Sequence, residues 1–217
     1  VKIDGLRPDP RRPGSIRVLV GGKLAWTVPA DVITRLGLVE GATVSYEASE
    51  ELERAADVEG ALRSALRMLE RRAHARLEVA RKLRFKGHGQ ESVDAALERL
   101  DALGLIDDAA FAEAYVTARA GRGRGPARLR RDLEALGVRP EYISRAVSAL
   151  DSDEVPDPWE LTVRQAERRA AAMRGLTREA RQRRLTSFFA RRGFRGEEVR
   201  AAVDRLLSSQ AASQASS

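Results

Sequence analysis

Three stretches of this chain lie over one another. "ARLEVARKLRFKGHGQESVDAALERL" (75–100) aligns without a gap on "GPARLRRDLEALGVRPEYISRAVSAL" (125–150), at an offset of 50. "RRLTSFFARRGFRGEEVRAAVDRLL" follows at a further offset of 56. The copies agree in chemical type at Val79/Leu129/Leu185, Leu83/Leu133/Phe189, Gly87/Gly137/Gly193 and Glu91/Glu141/Glu197. They go on agreeing at Val93/Ile143/Val199, Ala96/Ala146/Ala202, Leu97/Val147/Val203 and Leu100/Leu150/Leu206. A pattern repeated at this period encodes one supersecondary unit used several times.

The chemistry of the shared positions says what that unit is. The apolar pair at i and i+4 faces inward from one helix, and the set at 93, 97 and 100 faces inward from the next. The shared glycine falls where the first helix must stop, in the left-handed conformation that glycine adopts without steric cost. The shared glutamate falls in the first turn of the next helix, where the helix dipole favours it. A further helix precedes each pair, at roughly 58–73, 109–120 and 158–173; the last has Asp157 as N-cap and Pro158 as its first residue. The chain is therefore expected to be mainly α. One such unit has too small a core to stand alone, so its neighbours should stack. Three tandem three-helix repeats then make an elongated, curved array.

The N-terminal quarter is different. Residues 1–14 hold three prolines and no periodicity and read as a flexible arm. "SIRVLV", a "GGK" turn and "LAWTV" (Leu24 to Val28) predict a β-hairpin. "PADVITRLGL" predicts a short helix opening at Pro29 and closing near Gly37, and "ATVSYE" could add a third strand. The expected divisions are an arm (1–14), a β-containing region (15–57), repeats at 58–106, 107–150 and 151–207, and a low-complexity, disordered tail (208–217).

Composition narrows the function. The chain has no cysteine, which removes disulfides and thiolate metal sites. No run of about 18 apolar residues occurs, and no apolar signal core opens the chain, so a cytoplasmic protein without membrane contact is expected. The formal charge is +7, yet residues 1–60 carry eight basic and ten acidic groups, so the basic excess lies wholly after residue 60. Of 39 basic residues only Lys2, Lys23, Lys82 and Lys86 are lysine. A GC-rich genome accounts for that preference, and so does the match of the planar guanidinium to phosphates and carboxylates.

Catalytic chemistry has little to stand on. His74 and His88 are the only histidines and read as surface residues. "GRGRG" (121–125) lacks a preceding strand and a following Gly-Lys-Ser/Thr, so it is not a nucleotide loop. Asp107 and Asp108 in "GLIDDAAFAEAYV" could begin a metal site, but Glu113 sits off their helical face. The simpler reading is structural: Gly104 closes one helix, Leu105 and Ile106 insert into the core, Asp107 or Asp108 caps the next helix and Phe111 anchors the junction. Such a cap contributes ~0.5–2 kcal/mol, enough to set the angle between repeats. No catalytic residue, cofactor or metal ligand is expected.

Arginine-rich runs carry the binding expectation. The first comprises Arg71, Arg72, Arg76, Arg81, Lys82, Arg84 and Lys86. The second comprises Arg119, Arg122, Arg124, Arg128, Arg130 and Arg131, where Gly125-Pro126 opens a helix suited to anions. The third comprises Arg181, Arg183, Arg184, Arg191, Arg192 and Arg195. The competing reading is that solvated helices simply carry charge. Clusters of this density fit phosphates or an acidic protein face. With few aromatic residues to stack bases, sequence-specific single-strand readout is not expected.

Three motifs in order, "LERRAHARLEVARKLRFKG", "LERLDALGLIDDAAFAEAYV" and "GRGRGPARLRRDLEALGV", resemble the RecX family of recombination regulators. The resemblance spans about residues 15–206 and is strongest over 60–150. It implies three repeats of a three-helix motif and no enzymatic activity. It also implies binding to the RecA recombinase, chiefly as a filament on single-stranded DNA, with restraint of ATP hydrolysis, filament extension and strand exchange. Contact with the DNA phosphate backbone and a monomeric state are expected. Action on DNA without RecA is the alternative. The leader "VPADVITRLGLVEGA" is also similar to swapped-hairpin DNA-binding regulators of the AbrB type.

Overall fold

The computed structural model describes residues 1–151, 157–173 and 175–215 and divides into two units, Val1–Asp107 and Asp108–Ser217. In the first unit, β1 (Gly5–Pro8), β2 (Ser15–Val20) and β3 (Lys23–Pro29) form an antiparallel sheet in the order β1-β2-β3. The hairpin lies where its sequence put it, with Ile16 opposite Val28 and Val18 opposite Trp26.

The flexible arm is a correction. Residues 5–8 pair with β2, and Ile3 is wholly buried. Ile3 N–H donates to the Ala42 carbonyl at 2.9 Å, and Asp4 N–H donates to that of Leu19 at 2.8 Å. The prolines that argued for a loose arm end and turn an edge strand, where a missing N–H costs least. The expected third strand over "ATVSYE" is likewise corrected. Thr43 makes only an isolated bridge to Lys2, and Ser45 caps a helix.

That helix, α2 (Tyr46–Leu69), follows the short α1 (Ala30–Arg35) and begins well before the expected residue 58. The Ser45 hydroxyl accepts from Ala48 N–H at 3.2 Å, satisfying one of the orphan donors of the first turn. α2 serves two cores. Leu52 packs with Ile3, Val18, Val28, Val32, Ile33 and Val44 beneath the sheet. Ala61, Leu62 and Ala65 pack with Val79 and Leu83 of α3 (Arg76–Phe85) and with Val93, Leu97 and Leu100 of α4 (Gln90–Ala102). No boundary therefore falls at residue 57. Asp57, midway along α2, accepts from Gly89 N–H at 2.9 Å, and its other oxygen meets His88 Nδ1 at 2.6 Å.

The second unit holds α5 (Asp108–Ala120), α6 (Pro126–Leu136), α7 (Pro140–Ser148) with a 3-10 turn (Ala149–Asp151), α8 (Pro158–Ala171), α9 (Arg178–Arg192) and α10 (Glu197–Ala215). Leu129, Leu133, Ile143 and Val147 are buried in one three-helix set; Leu185, Phe189, Val199 and Val203 hold the same places in the next. α6 and α9 stop at Gly137 and Gly193, both left-handed, as the repeat requires. Asp157 caps α8 through Trp159 N–H at 2.8 Å. The tail is the last correction. α10 runs on to Ala215, because the helix-compatible "SSQAASQA" continues a helix already nucleated by its buried face. Ser216 and Ser217 lie outside the described residues. Among the described residues no helix is long and apolar enough to cross a membrane.

Candidate nucleic-acid interface

The "GRGRG" loop joins α5 to α6, and the end of α9 lies against it. Gly125 N–H donates to the Arg192 carbonyl at 2.7 Å. The buried Thr162 hydroxyl, on α8, donates to the Gly123 carbonyl at 2.8 Å, and Arg192 Nη1 donates to the Arg122 carbonyl at 2.9 Å. The backbones approach so closely that side chains are excluded. A Cβ on Gly193 would stand 2.4 Å from Arg128 N, and one on Gly125 would stand 2.7 Å from the Phe194 ring.

Seven arginines surround the cavity this contact leaves, of about 510 Å3: Arg119, Arg122, Arg124, Arg128, Arg169, Arg191 and Arg192. Phe188 closes its floor, with Arg192 and Arg169 over the ring at 4.5 and 5.2 Å from its centroid. Guanidinium–ring contacts of this kind hold the cations in place without neutralising them. Asp132 pairs with Arg124 at 2.7 Å and with Arg128 at 2.8 Å. Arg119, Arg122, Arg169, Arg191 and Arg192 have no acidic partner among the described residues. Burial lowers the Arg192 pKa from its ordinary value, and the neighbouring charges of Arg169 and Arg124 lower it further. A second cavity, of about 560 Å3, shares Arg169 and Arg191 and adds Arg183 and Arg184. The two make one concave surface of positive charge, suited to a polyanion.

The predicted clusters fare differently. Of the second and third, Arg119, Arg122, Arg124, Arg128, Arg183, Arg184, Arg191 and Arg192 line the two cavities; Arg130, Arg181 and Arg195 do not, nor does Arg131, whose Nε turns back to the Ala127 carbonyl. The first is largely spent within its own repeat. Arg72 and Lys82 hold Glu78 at 2.6 and 3.0 Å, Arg76 holds Asp101 at 2.8 Å, and Arg84 donates to Gln90 at 2.9 Å. Arg71, Arg81 and Lys86 are exposed there. Arg192 is a positioning residue rather than a free ligand. Arg169 and Phe188 were not anticipated, since only the packing of α8 and α9 brings them to the loop.

The histidines are less exposed than expected. His74 is buried, 2.9 Å from Glu78, and His88 is held by Asp57. Burial raises the Glu78 carboxyl, but hydrogen bonds from Arg72, Lys82 and His74 outweigh it and hold the pKa at about 2. At the junction, Gly104 ends α4 in a left-handed conformation, Asp107 immediately precedes α5 and Asp108 is its first residue. Phe111 is buried beside Tyr115, but Leu105 is 46% exposed rather than inserted in the core. Among the described residues no three His, Asp or Glu side chains gather as metal ligands would.

Known proteins share this arrangement. The first, second and third three-helix domains of RecX match residues 61–100, 107–147 and 156–203, in that order. The regulatory protein RecX of Xanthomonas axonopodis pv. citri is 39% identical over 139 residues, covering 64% of this chain and 83% of its own. That of Thermobifida fusca is 40% identical over 131 residues, 59% of this chain and 69% of its own. A crystal structure of a regulatory protein RecX superposes with a TM-score of 0.69 at 22% identity, over 94% of this chain and 98% of that one, and so shares the fold. With three domains matched in order and relatives of this identity, the chain belongs to the RecX family of regulatory, non-enzymatic proteins.

Proposed function

We propose that this chain binds the RecA recombinase assembled on single-stranded DNA and restrains its ATP turnover, filament extension and strand exchange. The reading rests on membership of the family, and one observation carries it to particular residues. The second and third repeats together present a concave surface of arginines of which seven have no acidic partner among the described residues. A nucleoprotein filament supplies the complement, a regular array of phosphates along an acidic track. On this reading a monomer, working in the cytoplasm, lays the groove on the strand while other faces meet RecA. It acts by occupying sites whose rearrangement accompanies ATP turnover.

The test is a RecA ATPase assay on single-stranded DNA. Stoichiometric addition of the chain should inhibit hydrolysis, and the double variant Arg122→Gln/Arg191→Gln should inhibit several-fold less. Unaltered hydrolysis at stoichiometric wild-type chain sinks the proposal. Tight DNA binding together with unaltered hydrolysis would favour a DNA-binding protein that acts without RecA.

A further inference from the structure

Phe85 is the last residue of α3 and is 93% exposed. The chain's other phenylalanines all serve cores. Phe111, Phe188 and Phe189 are buried, and Phe194 packs partly buried against the third repeat. Phe85 contributes nothing comparable, and the fold does not ask for it. The repeat register sets Ala135 and Arg191 at the same place.

Its surroundings say what it suits. Arg81 and Lys82 stand one turn earlier on the same helical face, and Arg84 and Lys86 flank it in sequence. An aromatic ring that anchors a protein interface sits in a desolvated patch depleted of charge. Covering Phe85 in that way would desolvate several cations at once. A single-stranded nucleic acid asks for the opposite arrangement, an exposed aromatic face for the base and cations beside it for the flanking phosphates.

We infer that Phe85 is a stacking platform for one unpaired base of single-stranded nucleic acid, with the exposed Lys86 and Arg84, whose Gln90 partner is uncharged, holding the adjoining phosphates. Stacking on a phenyl ring accepts any base, so the contact adds affinity without sequence preference. This contact belongs to the first unit, whereas the arginine groove belongs to the second, and it does not depend on the recombinase.

The experiment compares the full-length chain on two labelled strands of equal length, oligothymidylate and an abasic strand with the same phosphates and no bases. Wild type should bind the thymidylate strand about thirty-fold more tightly, the mid-range of one stacked base. Phe85→Ala should erase that preference, keep the affinity for the abasic strand and leave the thermal midpoint unchanged. Phe85→Trp should restore the preference. Arg122→Gln/Arg191→Gln should weaken both strands alike, so failure of the groove and failure of the platform are told apart. Wild type with no preference or no binding, or Phe85→Ala with the preference intact, overturns the inference. Loss of RecA inhibition in Phe85→Ala with strand preference unaltered overturns it too, and assigns the residue to a protein contact.

Discussion

At Glu78 one carboxylate gathers Arg72, His74 and Lys82, which is why the most basic run of the first repeat presents less free charge than its sequence suggests. The arrangement makes the first unit acid-sensitive in a defined window. Glu78 titrates near 2 when folded, below its ordinary 4.5, so the unfolded chain binds more protons between those values. Its stabilisation is complete above about pH 4.5 and is lost as pH falls toward 2. Burial lowers the His74 pKa below its ordinary 6.5, with the same sign: its contribution is present above that value and fades as the ring is protonated. Glu78→Gln should cost about 1–3 kcal/mol at neutral pH and flatten the loss between pH 4.5 and 2, as read by urea unfolding at a series of pH values. A second residue-scale prediction concerns Gly193, at φ +92° with no room for a Cβ against Arg128. Gly193→Ala should destabilise the second unit by about 1–3 kcal/mol and weaken DNA binding, because the loop that carries Arg122 and Arg124 is held there. Calorimetry and anisotropy on the same preparation check both effects.

Among the elements, α2 does the least expected work. Its N-terminal half, "YEASEELERAADVEG", holds one large aliphatic residue, Leu52, among alanines and glutamates. A periodicity read from large apolar side chains passes over it, although Leu52 is wholly buried beneath the sheet. Leu52→Ala should cost about 2–5 kcal/mol. Since the same helix carries the core of the first repeat, the sheet and α3–α4 should melt together in one transition shifted downward, as followed by hydrogen exchange.

The repeats show the contrary case. Leu83, Leu133 and Phe189 are wholly buried, and each following glycine is left-handed, because local spacing alone decides which face turns inward. β1 was hidden because its pairing partner lies beyond a proline-rich turn. The groove was half legible: arginine runs can be counted in sequence. That Arg192 turns inward to two carbonyls, or that Arg169 joins from α8, follows only from helices packing across some 70 residues of chain. His74 was misread because arginines surround it in sequence, while its ring is buried beside Glu78 at i+4.

For the whole molecule, binding to single strands should be dominated by counterion release. Each phosphate contact contributes about 0.7 to the slope of log affinity against log salt. Arg122→Gln/Arg191→Gln should therefore flatten that slope by about 1.4, measured by anisotropy across a salt series, with no change in the thermal midpoint. The groove also has a birth order. Its walls come from residues as far apart as Arg122 and Arg192, and the loop that bears the first is pinned by the second. During synthesis the chain emerges N-terminus first. The early arginines thus leave the ribosome without their clamp, and the site forms only when the end of α9 arrives. A nascent chain of this design carries its early arginines past ribosomal RNA without a finished polyanion grip, and acquires one only once the end of α9 has emerged.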